Sequence, residues 1–258
     1  MTKKSLRNFA VAGLSLLLLA TCGAAQRADA SPTLDCSILG LCTGRVVIDT
    51  TATELATSLL LPLFDSSLGT LTGAKLTFTT NVNILKSSTV TNNNATPQTF
   101  TASENVQYNF SDVSDPTGSL ANALADPSFQ NTMDPKKSQF YLWLAGRTSA
   151  GFGPYNLSST GILATSGGSF GTPPLLLSDL ELAGGGYETL NVSTATTTST
   201  TGGGGNNTTN FQTEAGLSLD VRYTYIATRP PEVPEPASLA LMGAGLAVLG
   251  LARRRSSN

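Results

Sequence analysis

The acidic residues in the middle of the chain are the side chains whose types could carry out chemistry. The sequence of 258 residues contains no histidine. This excludes Ser-His-Asp and Cys-His catalysis and zinc sites that need histidine. Two carboxyl groups with different pKa values are enough for glycoside hydrolysis. Candidates for such a pair are Glu104, Asp112, Asp115, Asp179 and Glu188, although their spacing assigns no partners and solvated positions explain them equally well.

The segment 111–118 contains two of these acids and offers a second kind of chemistry. Calcium prefers oxygen ligands, and extracellular domains often use it. Asp112 and Asp115 are therefore candidate calcium ligands. Their spacing is not that of a recognised calcium loop, and Asp-Pro-Thr-Gly is also an ordinary turn sequence. Apart from this calcium candidate, the sequence predicts no metal and no cofactor.

Four aromatic residues could stack against sugar rings, namely Tyr141, Trp143, Tyr155 and Tyr187. Trp143 lies in the apolar run 140–145, which predicts a strand buried on both faces. Core packing is therefore favoured over binding for this tryptophan. The Thr-rich tract 194–201 offers hydroxyls for O-glycosylation, but a Thr-rich strand explains it equally well.

Glycine runs at 184–186 and 202–205 are predicted to be turns, because no helix-forming segment follows either run. No Gly-x-Ser-x-Gly elbow, phosphate loop or dinucleotide fingerprint appears in a strand-to-helix context. The sequence therefore favours a protein that is not an enzyme.

The elements that would position these residues are short strands. Thr favours strands, and Gly and Asn favour the turns between them. The segments 73–84 and 217–225 alternate apolar and polar residues with a period of two, which is typical of half-buried strands. Pro62 favours an edge-type strand for the segment around it. The pattern predicts an all-β fold, an antiparallel β-sandwich over 31–229.

The first thirty residues have the features of a secretory signal peptide. Lys3, Lys4 and Arg7 precede the apolar stretch 9–20. Ala28 and Ala30 form a small-x-small cleavage pattern that predicts a mature start at Ser31. This interpretation implies the Sec translocon and signal peptidase as partners. Cys22 would allow a lipoprotein, but the threonine before it fits that pattern poorly.

Cleavage after residue 30 leaves two cysteines, Cys36 and Cys42, in an oxidising compartment. A disulfide is the favoured interpretation of such a pair. A metal site would need further ligands. The segment 31–229 carries fourteen acidic and eight basic residues, a net charge of −6, which argues against a nucleic-acid partner.

The C-terminal segment 230–258 has three parts. A proline-rich stretch contains the motif Val233, Pro234, Glu235 and Pro236, an uncharged apolar segment predicts a helix over 237–252, and the basic residues Arg253, Arg254 and Arg255 follow. The helix is short for a membrane span, and the arginines would stay cytoplasmic. Taken alone, these features describe an ordinary C-terminal anchor.

This order of parts resembles the PEP-CTERM sorting signal. The resemblance implies that an exosortase recognises the Pro-Glu-Pro motif and removes the helix during export. It further implies a Gram-negative bacterium that makes exopolysaccharide. The inner membrane would hold the chain only transiently, before it reaches the cell surface or the extracellular matrix.

The ectodomain also resembles the choice-of-anchor E domain. The resemblance rests on the segment 61–73, with its Leu-Pro, Phe-Asp and Ser-Leu-Gly elements, and on Val221-Arg222-Tyr223-Thr224-Tyr225 near the end of the domain. Members of that family share an extracellular location, and the resemblance implies no activity.

Together these features predict a non-enzymatic surface or matrix protein associated with exopolysaccharide or biofilm. A carbohydrate-binding or adhesion module is the alternative, and a carboxylate-based glycosidase is a third possibility.

Overall fold

The computed structural model describes residues 32–37, 40–52, 54–166, 168 and 173–228. Most of this part of the chain is strand. The strands are β1 (Asp35–Ser37), β2 (Leu41–Ala52), β3 (Ala56–Asp65), β4 (Gly69–Ile84), β5 (Thr89–Asn92), β6 (Gln98–Asp112), β7 (Lys136–Leu144), β8 (Thr148–Gly151), β9 (Tyr155–Ala164), β10 (Glu181–Leu182), β11 (Gly186–Gly202), β12 (Asn207–Asn210) and β13 (Thr213–Ala227). The helices are α1 (Ser119–Ala125) and α2 (Pro127–Thr132).

The strands form two five-stranded sheets and one small sheet. The first sheet has the order β1-β2-β13-β4-β9, and the second has the order β10-β3-β11-β6-β7. A three-stranded sheet, β12-β5-β8, lies beside them. Neighbouring strands are antiparallel, except that β10 pairs with β3 in parallel. The predicted all-β antiparallel sandwich is confirmed.

The core lies between the two large sheets and follows the period-two pattern of the sequence. In β4, Leu76, Phe78 and Val82 are fully buried. In β13, Leu217 and Tyr223 face the same interior. These strands form where the sequence predicts them because one face of each can bury its apolar side chains while the other remains polar.

The strand around Pro62 has little pairing on one side. β10 covers β3 only at Phe64 and Asp65, so the missing amide proton of Pro62 costs no ladder hydrogen bond on that side. The carbonyl of Pro62 accepts a 2.9 Å hydrogen bond from the buried hydroxyl of Tyr223. The edge-type position expected for this strand therefore matches its place in the sheet.

The two short helices close the space between β6 and β9. Phe129 of α2 is fully buried, and its ring centroid lies 5.4 Å from that of Phe78 and 5.7 Å from that of Phe110. Gly161 of β9 leaves room for this ring, because a Cβ atom there would lie 2.7 Å from the Phe129 ring. Helices of six and seven residues give too few turns for a helical pattern to be read from the sequence.

One predicted element differs from the structure. The apolar run 140–145 does not form a strand buried on both faces, because β7 is at the edge of its sheet. The Phe140 side chain is 62% exposed and the Trp143 side chain is 70% exposed. The core-packing role expected for Trp143 is therefore wrong, and Tyr141 alone among these three rings packs inward.

The predicted signal peptide 1–30 and the predicted C-terminal helix 237–252 lie outside the described residues. Within the described ranges, neither helix has the length and apolar character required to cross a membrane.

Candidate functional site

The disulfide joins the first two strands. Cys36 and Cys42 lie opposite each other in the β1–β2 pair, and their sulfur atoms are bonded at 2.07 Å. The hairpin is attached to the last strand, because the hydroxyl of Tyr225 donates to the carbonyl of Ser37 at 2.7 Å. Gly40 has a φ of +83°, and a Cβ atom there would lie 2.3 Å from the carbonyl oxygen of Tyr225. The turn therefore requires glycine.

The structure does not describe the predicted cleavage and sorting residues. Ala28, Ala30 and Ser31 lie outside the described residues. The same is true of the motif Val233, Pro234, Glu235 and Pro236 and of the basic residues Arg253, Arg254 and Arg255. Their roles stay predictions from the sequence.

Four of the five candidate acids come together at one end of the sandwich. Asp112 ends β6, Glu188 lies near the start of β11, and Asp115 and Asp179 belong to the connections beside them. These four residues line a cleft of about 320 Å³, which also contacts Tyr187. The cluster forms because β6 and β11 pair in register, with Leu190 opposite Asp112.

Three of these carboxylates stabilise the local backbone. Asp112 Oδ1 accepts hydrogen bonds from the amides of Ser114 and Asp115, at 3.0 and 3.1 Å. Asp115 Oδ1 accepts from the amide and the hydroxyl of Thr117. Asp179 Oδ2 accepts from the amide of Ser119 at 2.7 Å, at the first residue of α1. These contacts explain the acids as turn and helix-start acceptors.

Glu188 is an acid of this cluster whose pKa is raised. Burial raises the pKa of Glu188 to about 7, and a hydrogen bond with Asp112 and the negative charges of Asp112 and Asp115 raise it in the same direction. A substantial fraction of Glu188 is therefore protonated near neutral pH. A hydrogen-bonded pair is closer than the separation of roughly 5 to 9.5 Å that glycosidases use.

The cluster does not have the arrangement of a metal site either. Within the described ranges, no group of three or more Asp, Glu, His or Cys side chains is placed to hold a metal ion. The candidate calcium ligands Asp112 and Asp115 are adjacent in space, but their oxygens bond backbone amides.

Glu104 lies apart from the other acids. It is eight residues before Asp112 on β6, roughly 26 Å along the strand. The residue is only 2% exposed. Burial raises the pKa of Glu104 to about 7, although a hydrogen bond with Thr213 lowers it in part. Lys137 is its partner residue on β7, but the Lys137 ammonium lies over the Tyr155 ring, 4.0 Å from its centroid.

The four predicted aromatic residues do not form one platform. Tyr141 is buried and stacks on Phe100 with 5.3 Å between ring centroids. The Tyr155 hydroxyl donates to Gln139 at 2.7 Å. Tyr187 is 42% exposed at the acidic cleft. Only Trp143 of the four is strongly exposed, and its exposed neighbour is Phe140, which the sequence did not single out.

A β-bulge explains the exposure of Trp143. Gln98 pairs with Leu144 and Phe100 pairs with Tyr141, so two residues of β7 lie opposite Thr99. Trp143 has a φ of +54°, in the left-handed region that a tryptophan rarely adopts. The bulge breaks the alternation that would turn Trp143 inward. A continuous apolar run contains no signal for such a break.

Comparison with known proteins identifies the C-terminal segment. Residues 232–256 match the model of the PEP-CTERM protein-sorting motif. No curated protein matches the chain. The ectodomain's resemblance to the choice-of-anchor E domain stays a prediction.

Two solved structures of infectious bursal disease virus show weak likeness. The structure of the Gt strain is 14% identical over 85% of this chain with a TM-score of 0.18, and a crystal structure of a viral particle is 10% identical over 85% with a TM-score of 0.16. The chain spans 43% and 40% of the length of those two proteins. At these TM-scores the likeness carries no argument.

The sorting motif thus implies a protein that is sorted by an exosortase and exported to a cell-surface or extracellular destination in a Gram-negative bacterium.

Proposed function

We propose that this chain is a non-enzymatic protein of the extracellular matrix, associated with exopolysaccharide or biofilm. The observation that carries the proposal is the match of residues 232–256 to a sorting motif, beyond the end of a folded domain. β13 ends at Ala227, so removal of the motif leaves the strands of the sandwich intact. The exported product is then the sandwich with a short C-terminal extension.

Terminal mapping of fractionated cells tests this proposal. Mass spectrometry of extracellular matrix should recover peptides of the ectodomain and none from 237–258. A Pro234→Ala/Glu235→Ala variant should keep its C-terminus and stay with the inner membrane, whereas an Arg222→Lys variant should be processed like the wild type. Recovery of the intact C-terminus from the matrix would contradict exosortase processing.

Carbohydrate binding is the second candidate function. The observation that favours it is the exposure of Phe140 and Trp143 on one edge strand. Aromatic rings offer flat apolar surfaces to the C–H faces of sugars. Binding to glycans on an array would support this function if a Trp143→Asn variant loses it. If the protein binds no glycan on the array, only the structural role remains.

A further inference from the structure

The exposed rings of β7 lie at the margin of an uncharged sheet face. On β6, the outward positions from 99 to 111 are all Ser, Thr, Asn or Gln. On β11, the outward positions from 191 to 201 are Ser, Thr and Asn with one Ala. The register places these two rows side by side, from the pair Asn191 and Ser111 to the pair Thr201 and Thr101. The two rows therefore contain no charged side chain.

The rings and the polar rows are contiguous. Phe140 pairs with Thr101 and Ser138 pairs with Ser103, so β7 continues the same face. The hydroxyls of Ser103 and Ser138 lie 2.8 Å apart. A depression of about 130 Å³ lies beside them, lined also by Thr197 and Ser199 and by the charged residues Lys136 and Glu104. The face extends along β6, whose fifteen residues span roughly 50 Å.

We propose that this face, formed by β11, β6 and β7, binds an uncharged, extended polysaccharide. The proposal rests on the proposed extracellular role and names the ligand class of that role. Phe140 and Trp143 stack against sugar rings, while the hydroxyl and amide groups of β6 and β11 exchange hydrogen bonds with sugar hydroxyls. The polymer lies along the strands, with the rings at one end of its path.

The chemistry of the face fits this ligand better than other polymers. A nucleic acid, an anionic glycan or an anionic membrane would need a basic surface, and only Lys136 supplies a charge on the outer side of β7. A stable protein partner would need an apolar centre, which the Ser, Thr and Asn rows do not provide. A partner protein could also pair a strand with the free edge of β7. The two lysines of β7 and the bulge at Trp143 oppose such pairing.

The strained backbone is a second, independent observation. Trp143 stays in the left-handed region with 70% of its side chain exposed, so no burial of that ring compensates the strain. Such positions cluster where a side chain is aimed at a ligand. An asparagine adopts this backbone conformation at lower cost. Neither the backbone nor core packing therefore explains why a tryptophan occupies this position.

Native affinity electrophoresis of the purified secreted protein tests the proposal. The probes are soluble β-1,3-glucan, hydroxyethylcellulose and dextran, with alginate as the anionic polymer. We expect retardation by at least one neutral polymer and none by alginate. Retardation by alginate alone, or by no polymer, would overturn the proposal.

Variants locate the binding surface. Phe140→Thr/Trp143→Asn keeps strand and bulge preferences and should weaken the retardation about tenfold or more. Gln107→Glu/Asn109→Asp adds charge to the outward row of β6 and should weaken it as well. Leu176→Ser, at an exposed apolar residue outside these three strands, is the matched control that should bind like the wild type. Equal binding by the ring variant would refute the site, provided that its thermal unfolding matches the wild type.

The two proposals fail in different ways. Suppose that the protein binds no neutral glycan, while the ring variant still reaches the matrix and loses its C-terminus. The polysaccharide site is then refuted, and the proposed function stands. An unprocessed chain in the inner membrane removes the proposed function, whatever the purified ectodomain binds.

Discussion

At the residue scale, the buried carboxyl of Glu104 contributes to the pH dependence of this protein's stability. An ordinary glutamate has a pKa of 4.5, and burial raises that of Glu104 to about 7. Between these two values the folded state binds a proton that the unfolded state has released. The free energy of unfolding therefore decreases as pH rises from about 4.5 to 7, and Glu188 acts in the same direction.

A Glu104→Gln variant tests this dependence. The neutral amide keeps the shape of the side chain, so we expect the variant to be more stable than the wild type at pH 8, by about 1 to 3 kcal/mol. At pH 4.5 the two should unfold alike. Urea unfolding at a series of pH values measures the difference, with exposed Glu54→Gln as the control. A variant that kept the full pH slope of the wild type would contradict the prediction.

Gly161 is a second position where one residue decides the packing. A Cβ atom there would lie 2.6 Å from the sulfur of Met133 and 2.7 Å from the ring of Phe129, and both side chains are fully buried. We therefore expect Gly161→Val to lower the free energy of unfolding by about 1 to 3 kcal/mol.

Thermal unfolding checks this prediction, and Gly151→Ala provides its control. The nearest heavy atom to a Cβ at Gly151 is 3.9 Å away, so that variant should melt close to the wild type. Equal melting temperatures for Gly161→Val and the wild type would show that α2 is not held against β9.

At the scale of elements, the β1–β2 hairpin depends on a short covalent loop. Cys36 and Cys42 are six positions apart. Loop-closure entropy for such a loop gives about 2 kcal/mol of stabilisation. Cys36→Ala/Cys42→Ala should therefore unfold more easily by about that amount. Thermal unfolding of the wild type with and without reductant is the matching measurement, and a melting temperature insensitive to reductant would argue against the prediction.

Some elements could be predicted from the sequence and others could not, for physical reasons. β4 and β13 alternate Leu76, Phe78 or Tyr223 with polar residues because one face of each is buried, and that alternation is visible in the sequence. β7 has no visible alternation, since its edge position and its bulge depend on pairing with Gln98 and Phe100, which are distant in sequence. Local pattern contains no information about such pairing.

The same limit applies to the acidic cleft. Asp112 and Asp115 are near each other in sequence and in space, and they could be singled out together. Glu188 joins them because β11 pairs with β6, with Val192 opposite Phe110. Asp179 joins them through its hydrogen bonds from Ser119. Spacing along the chain assigns no such partners, so the raised pKa of Glu188 could not be predicted.

At the scale of the whole molecule, the described strands and the sorting motif are separate in sequence. β13 ends at Ala227, and the motif begins at residue 232. A chain that ends at residue 228 should therefore fold and melt like the full-length protein. Differential scanning calorimetry of the two chains measures this, and a clearly lower melting temperature for the shorter chain would show that the sandwich needs the last thirty residues.

The direction of β13 places the two ends of the sandwich at different distances from the point where the described chain ends. The strand begins beside Ile84 and ends beside Gly69, a run of fifteen residues or roughly 50 Å. The carbonyl of Leu144, next to Trp143, accepts a hydrogen bond from Asn92, near the start of that run, whereas the disulfide hairpin contacts Tyr225 near its end. During export, a chain held by its C-terminus would keep the hairpin close to the bilayer. Phe140 and Trp143 would then lie at the end of the sandwich away from the bilayer, on the opposite side from the point of attachment.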